Sequence, residues 1–534
     1  MSEPIIKGIQ WPEITNKKTK KLSRSSTGTA TKILSAAYSA ANKHAEASKL
    51  QNVGGGKWRF GYQKFFIQVT EMIANSNEKE TLAIAEAVLN EAKNNFEFYR
   101  NGMGVNLNTI DAVATNDFST GMITGMNNDQ PRSSVEVPYN KQTYNAKDGS
   151  IQKLLDTFVQ YGDMEQSASD AINSLLNSKN TKQYEDLSDL HICLIGATSE
   201  MGPMEFLLDH GATVIALARP GEKKWKKLIA RAKRSRGRLI FPTIKNNGDE
   251  DSLAKAAGAD ALAQTPEIGN WLGSLFPGEK IFIYSLIYLD GEKYVRASMA
   301  MDVIVDMATS IRGADKVGLL YIATPSAAHV VDAKCERRAK LFYKNVPFWQ
   351  KIFEMVGLLK RQKFLTLQSH TDHRVVDCLA SMQGPNYALA KFLQTCRVLI
   401  ARIKYGQFVS VNVAPPALTA SVMHAPKIAA AAPYIPLFKP NVMYYPDTAS
   451  SILSLLLLAD IRNKKSNSYA STKLAHPLLL IADQAWHGGC FNAPYSSEST
   501  GVASYISYLL YKTMPWMVVI LVAVMLYFTS GRFF

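Results

Sequence analysis

From Leu190 onward, short apolar runs alternate with stretches of helical periodicity, and this alternation admits few architectures. The runs are His191–Ile195, Thr213–Ala218, Leu239–Ile244, Ile281–Ser285, Val317–Ala323 and Phe408–Val413, with Leu478–Ala482 as a final one. Strands separated by helices in this way predict an α/β fold, a doubly wound parallel sheet.

The chain before this point reads differently. Residues 1–30 are polar and basic and read as a mobile arm. Between about 31 and 185 the pattern is mainly helical. Ile33, Ala36, Ala37 and Ala40, and later Leu82, Ile84, Ala87 and Leu89, recur mostly at three- and four-residue steps. Gly54-Gly-Gly56 interrupts the pattern, residues 101–148 read as loop, and Ile151–Leu176 is helical again. At the other end, Met514–Phe528 carries no charge and is bracketed by Lys512 and Arg532. A helix of about 15–17 residues spans roughly 23–26 Å, slightly less than a typical hydrocarbon core of about 30 Å. The expectation is a C-terminal transmembrane helix over 513–529, a tail anchor that leaves the preceding part facing the cytosol. Its shortness favours a thin bilayer such as the endoplasmic reticulum.

With 534 residues, the chain is long enough for a large core, and 47% hydrophobic content excludes a disordered protein. Five cysteines without paired spacing read as reduced thiols, neither a disulfide framework nor a zinc site. His370 and His373 bracket Asp372 without a further ligand set, so they read as loop histidines and no metal is expected. Net charge is +15, and Arg219–Arg238 holds ten basic residues against the single acid Glu222. Trp225 is the only aromatic there, too few for a stacking platform, so nucleic acid is not the expected partner. An anionic cofactor, a CoA-like substrate or an anionic membrane surface accounts for the charge; so does a solvated helix face.

Three motifs carry chemistry. The first strand leads into Gly196-Ala-Thr-Ser-Glu-Met-Gly202 and a helix over Pro203–His210. Glycines at a strand–helix turn let a pyrophosphate approach the backbone, and the helix start offers positive potential. After the second strand stands Arg219, whose planar fork suits a 2′-phosphate and so points to NADP(H). Further on, Tyr387 and Lys391 lie four apart on one helix face, where an ammonium lowers a phenol pKa.

The run from Ile195 through Arg219 closely resembles the opening of the short-chain dehydrogenases/reductases, with Ser199 where the family pattern G-A-T-G-x-x-G has its middle glycine. Gly384-Pro-Asn-Tyr-Ala-Leu-Ala-Lys-Phe392 resembles the family's catalytic helix. Val411-Asn-Val-Ala-Pro-Pro-Ala-Leu-Thr419 resembles its N-x-x-x-P-G-x-x-x-T segment, with Pro416 in place of glycine. The resemblance covers about residues 188–490 and implies a Rossmann-like fold. It implies Tyr387 as proton donor, Lys391 as ribose contact and Thr324 or Ser326 as the companion hydroxyl. Cofactor contacts are implied at Gly196, Thr198, Ser199, Met201, Gly202, Arg219, Ser285, Lys391 and Thr419.

Two departures bear on the substrate. Tyr284-Ser285-Leu286 stands where the family has Asn-Ala-Gly, and resembles its enoyl reductase branch. An insertion at about 325–383 mixes bases with large apolar residues, among them Arg337, Arg338, Phe342, Trp349 and Phe353. It reads as a lid over an acyl chain, a membrane-facing amphipathic helix or a packing elaboration. The expected activity is therefore an NADP(H)-dependent, membrane-anchored reductase acting on a carbonyl of a lipid-like substrate such as a 3-oxoacyl thioester. The alternatives are an enoyl-thioester reductase and a membrane scaffold that keeps the fold without turnover, with a homo-oligomer or larger membrane assembly as possible partners.

Overall fold

In the computed structural model, the alternating apolar runs form one seven-stranded sheet. The structure describes residues 7–15, 22–115, 118–126, 134–244 and 250–529, with the backbone alone at 14–15, 22–23, 250–251 and 514–529. The strands of this sheet are β1 (Ser119–Thr124), β2 (His191–Ile195), β3 (Thr213–Leu217), β4 (Arg238–Thr243), β5 (Ile281–Ser285), β6 (Val317–Ala323) and β7 (Val409–Val413). Their order is β7-β6-β5-β2-β3-β4-β1. Strands β2 to β7 pair in parallel, whereas β1 joins the edge antiparallel to β4.

Successive side chains of the inner strands enter two different cores, because strand residues alternate between faces. On β2, Cys193 and Ile195 join one core, and Ile192 and Leu194 the other. On β5, Ile281 and Ile283 are likewise separated from Phe282 and Tyr284. The order reverses at β2, whose neighbours β3 and β5 lead off in opposite directions. A crevice at the carboxyl ends of such strands is where open α/β sheets bind ligands.

Helices Glu292–Arg312 and Gly384–Ile403 pack side by side on one face, and Glu78–Asn95 packs on Gly384–Ile403. Arg397 pins them: its Nε donates to Asp302 Oδ1 at 2.6 Å, and its Nη1 donates to Asp306 Oδ1 at 3.0 Å. The N-terminal region thus shares a core with the sheet. Within the expected arm, residues 8–11 are held in place: Gly8–Gln10 pairs with Glu97–Tyr99, and Ile9 and Trp11 are buried. Residues 101–148, read as loop, supply β1 and the hairpin Glu136–Tyr139/Gln142–Asn145.

The insertion folds as a three-stranded antiparallel sheet (Ala328–Asp332, Phe364–Thr366, His373–Asp377) with helices Ala333–Lys344 and Phe348–Met355. Two expectations are corrected. Leu478–Ala482 is not a strand, since Leu479–Ala482 is one turn of helix. The transmembrane tail anchor, and the membrane localisation built on it, also fall: among the described residues no helix is long and apolar enough to cross a membrane. The C-terminal helix runs Ser497–Thr529, and its first part is a packed protein surface. Ala503 and Ser504 are buried there, and Tyr508 and Tyr511 meet Tyr434. The side chains of Met514–Phe528 lie outside the described residues.

Candidate active site

Gly196 has φ +106°, a conformation that favours glycine, and it turns the chain sharply out of β2. A Cβ there would come within 3.0 Å of the Ile287 nitrogen, so the loop after β5 closes directly on the turn. Ser199 N donates to Gly196 O at 2.9 Å, and Gly202 N donates to Ser199 O at 3.0 Å, giving the turn its shape. Among the described residues, the N–H groups of Thr198, Glu200 and Met201 have no protein acceptor. A turn with spare backbone donors next to a helix start fits an anion. Thr198 is exposed, while Ser199, Met201 and Gly202 are half-buried. Arg219 is exposed at the end of β3, and its carbonyl accepts from Trp225 Nε1 at 3.3 Å. These residues fit a dinucleotide with a 2′-phosphate.

Tyr387 lies in the first turn of Gly384–Ile403, which opens with Pro385. It packs against Tyr294 (ring centroids 5.5 Å) and Tyr288 (6.1 Å), an aromatic wall from the segment after β5 that the motif spacing gave no sign of. Lys391 reaches the end of β6, where Nζ donates to the Ile322 carbonyl at 2.7 Å. Burial raises the Tyr387 phenol pKa, and the Lys391 cation and the Thr324 hydroxyl only partly offset this. This reverses the direction anticipated from the four-residue spacing. Burial also lowers the Lys391 pKa, opposed by Tyr387. The phenol therefore keeps its proton at neutral pH, as a proton donor must.

Thr324 and Ser326 take different parts. Thr324 Oγ1 accepts from Ser326 N at 3.1 Å, and the Thr324 carbonyl bonds His329 Nε2 at 2.8 Å. Burial drives the His329 pKa down to about 4, so the ring is neutral and Nε2 is the donor. Ser326 Oγ accepts from Ala380 N at 3.0 Å, and Ala327 O accepts from Cys378 N at 3.1 Å. These bonds bring the end of the insertion back to its start, so its length does not separate Thr324 from Tyr387. Thr324 is the hydroxyl at Tyr387; Ser326 closes the insertion.

A cavity of about 70 Å³ lies below Lys391 and Thr324, walled by Phe66 and Ile73 from Gly55–Ala74 and by Leu478 and Ile481. Ser285 is buried at the end of β5, beside the buried Tyr321 of β6. Thr419 precedes the short helix Ala420–Met423, whose first amide bonds Glu200 of the glycine turn. Asn412 of the same motif bonds the buried Asp460 and is structural.

A second buried polar cluster has no signature along the chain. Glu165 takes the Lys334 ammonium at 3.0 Å and His487 Nε2 at 3.3 Å, and Asp163 accepts the Tyr444 hydroxyl. Gly489 N donates to His487 Nδ1 at 3.1 Å, which leaves the ring proton on Nε2. Glu165 and His487 are 322 positions apart, so no local pattern could reveal them. This cluster docks the insertion helix onto the core. Among the described residues, no group of His, Cys, Asp or Glu could hold a metal ion. No protein-family model matches the chain, and no curated protein matches it.

Proposed function

We propose that the protein is an NADP(H)-dependent oxidoreductase that reduces a carbonyl compound. The observation that carries this reading is the convergence of Tyr387, Lys391 and Thr324 at the end of β6, near the point where strand order reverses. That order, with its glycine turn after the central strand, is the dinucleotide-binding arrangement, and it supports the short-chain reductase resemblance.

The cofactor, when bound, would supply hydride to the carbonyl carbon. Tyr387 donates its proton to the carbonyl oxygen as charge builds there, and the Thr324 hydroxyl gives that oxygen a second hydrogen bond. Lys391 stabilises the phenolate left behind and offers its remaining N–H groups to a ribose. Exposed Phe348, Ile352 and Met355 beside Lys351 on the insertion support an acyl, lipid-like substrate such as a 3-oxoacyl thioester. Ser285, buried after Tyr284 at the end of β5, supports reduction of an enoyl thioester as the second chemistry. One contact favours a scaffold without turnover: Glu200 of the glycine turn bonds the Ala420 amide.

NADPH should raise the melting temperature of the full chain, and NADH less so. Tyr387→Phe should leave that stabilisation intact while lowering carbonyl reduction at least about 100-fold. Absence of any NADPH effect removes the oxidoreductase reading; full turnover in the Phe variant removes Tyr387 as the acid.

A further inference from the structure

Glu200 belongs to the glycine turn, yet its side chain leaves it. Oε2 accepts the Ala420 N–H at 2.8 Å, 220 positions further along the chain. Ala420 opens the short helix Ala420–Met423, preceded by Thr419. Thr419 gives that helix no cap, since its hydroxyl pairs with Ser421 Oγ at 3.0 Å. Glu200 thus satisfies from outside one of the N–H groups that a helix start leaves without an intrahelical acceptor.

The segment begun by this helix continues through Pro426–Ala431 and Ala432–Leu437. Its far end is well held, with Ala431 and Ala432 buried and Tyr434 against Tyr508 and Tyr511, 6.1 Å between centroids in each case. Its near end is not: Ala420–Met423 buries none of its four residues. The Glu200 bond is therefore the main tie between that end and the glycine turn.

We propose that Glu200 is a latch that holds residues 419–424 against the turn when no cofactor is bound, and that dinucleotide phosphate displaces it. This rests on the NADP(H) reading. A phosphate on the Gly196–Gly202 turn and a carboxylate held in place from the same turn are like charges at close range, so they exclude each other. Cofactor entry drives the carboxylate off, the Ala420 amide loses its acceptor, and the start of the segment is released. Linkage makes the effect reciprocal: whatever the latch contributes to holding the segment, it takes from cofactor affinity by the same factor. A nucleoside without phosphate lacks the charge and leaves the latch shut.

Hydrogen exchange followed by mass spectrometry on the full chain, read in peptides over 417–425, tests this. Glu200→Ala should exchange there about fivefold faster than the parent, the size of effect one net hydrogen bond gives. Glu200→Gln, which keeps an acceptor, should stay near the parent rate. NADPH should bring the parent to the Ala-variant rate, adenosine should not, and Glu200→Ala should bind NADPH about fivefold more tightly. Unchanged exchange in Glu200→Ala overturns the latch even where NADPH binds. NADPH that binds without accelerating exchange overturns the coupling. NADPH that binds neither protein, with the Ala variant still accelerated, overturns the cofactor reading and the coupling that rests on it.

Discussion

Tyr387 keeps its proton because its ring lies against Tyr288 and Tyr294 at the start of a buried helix, where the Lys391 charge cannot outweigh desolvation. Burial also acts on two acids that flank Met164. It pushes the Asp163 carboxyl up to about 7, although Tyr444 donates a hydrogen bond to it. Burial opposes ionisation of Glu165 as well, but His487 and Lys334 prevail and hold it at about 2. The signs are opposite. The Asp163 contribution to stability is fully present below its ordinary value of 3.8 and is lost as pH rises through about 7. The Glu165 contribution is present above its ordinary 4.5 and is lost as pH falls towards about 2. Asp163→Asn keeps an acceptor for Tyr444 but cannot ionise. Its melting temperature should therefore gain on that of the parent as pH rises from about 4 to 8. Parallel curves across that range in calorimetry exclude Asp163 as the titrating group.

Helix Gly384–Ile403 carries Tyr387 and Lys391, and its position depends on Arg397, six residues beyond Lys391 and buried between Asp302 and Asp306. Arg397→Ala leaves the Asp302 carboxylate buried without its cation and should cost about 3–5 kcal/mol in urea unfolding. The double variant Arg397→Met/Asp302→Leu removes both charges and should recover most of that loss. Equal losses in the two proteins would mean that packing volume, not charge, dominates there. Element identity was legible where the pattern was strong: β2, β5 and β6 match the sequence-derived runs residue for residue. Leu478–Ala482 reads as a strand but folds as a helix turn, because a short apolar run looks alike in a buried strand and a buried helix turn. Pro477 just before it was the available hint, since proline suits a helix start.

The N-terminal region is a wall of the site as well as a separate stretch of sequence. Phe66 and Ile73 line the cavity beneath Lys391, and Tyr62 donates to the Ala380 carbonyl at 3.3 Å at the end of the insertion. Strand β1 covers the edge of β4, which would otherwise expose unpaired backbone groups. Residues 188–529 produced alone should therefore fail to give a cooperative urea transition and should aggregate, whereas the whole chain unfolds cooperatively. Sharp cooperative unfolding of that fragment would show that the sheet domain stands by itself.

The strand–helix alternation, the glycine turn and the Tyr387/Lys391 spacing can be read from the chain alone, because they depend on residues close together along it. That Thr324 is the hydroxyl at Tyr387 depends on the folded chain, since the insertion must fold back before the two can meet. The same holds for Glu200 at the Ala420 amide, Glu165 with His487, and the N-terminal helices as a wall of the cavity. The direction of the Tyr387 shift also belongs to the fold. Spacing on a helix sets which charge is near, but desolvation depends on everything packed around the ring.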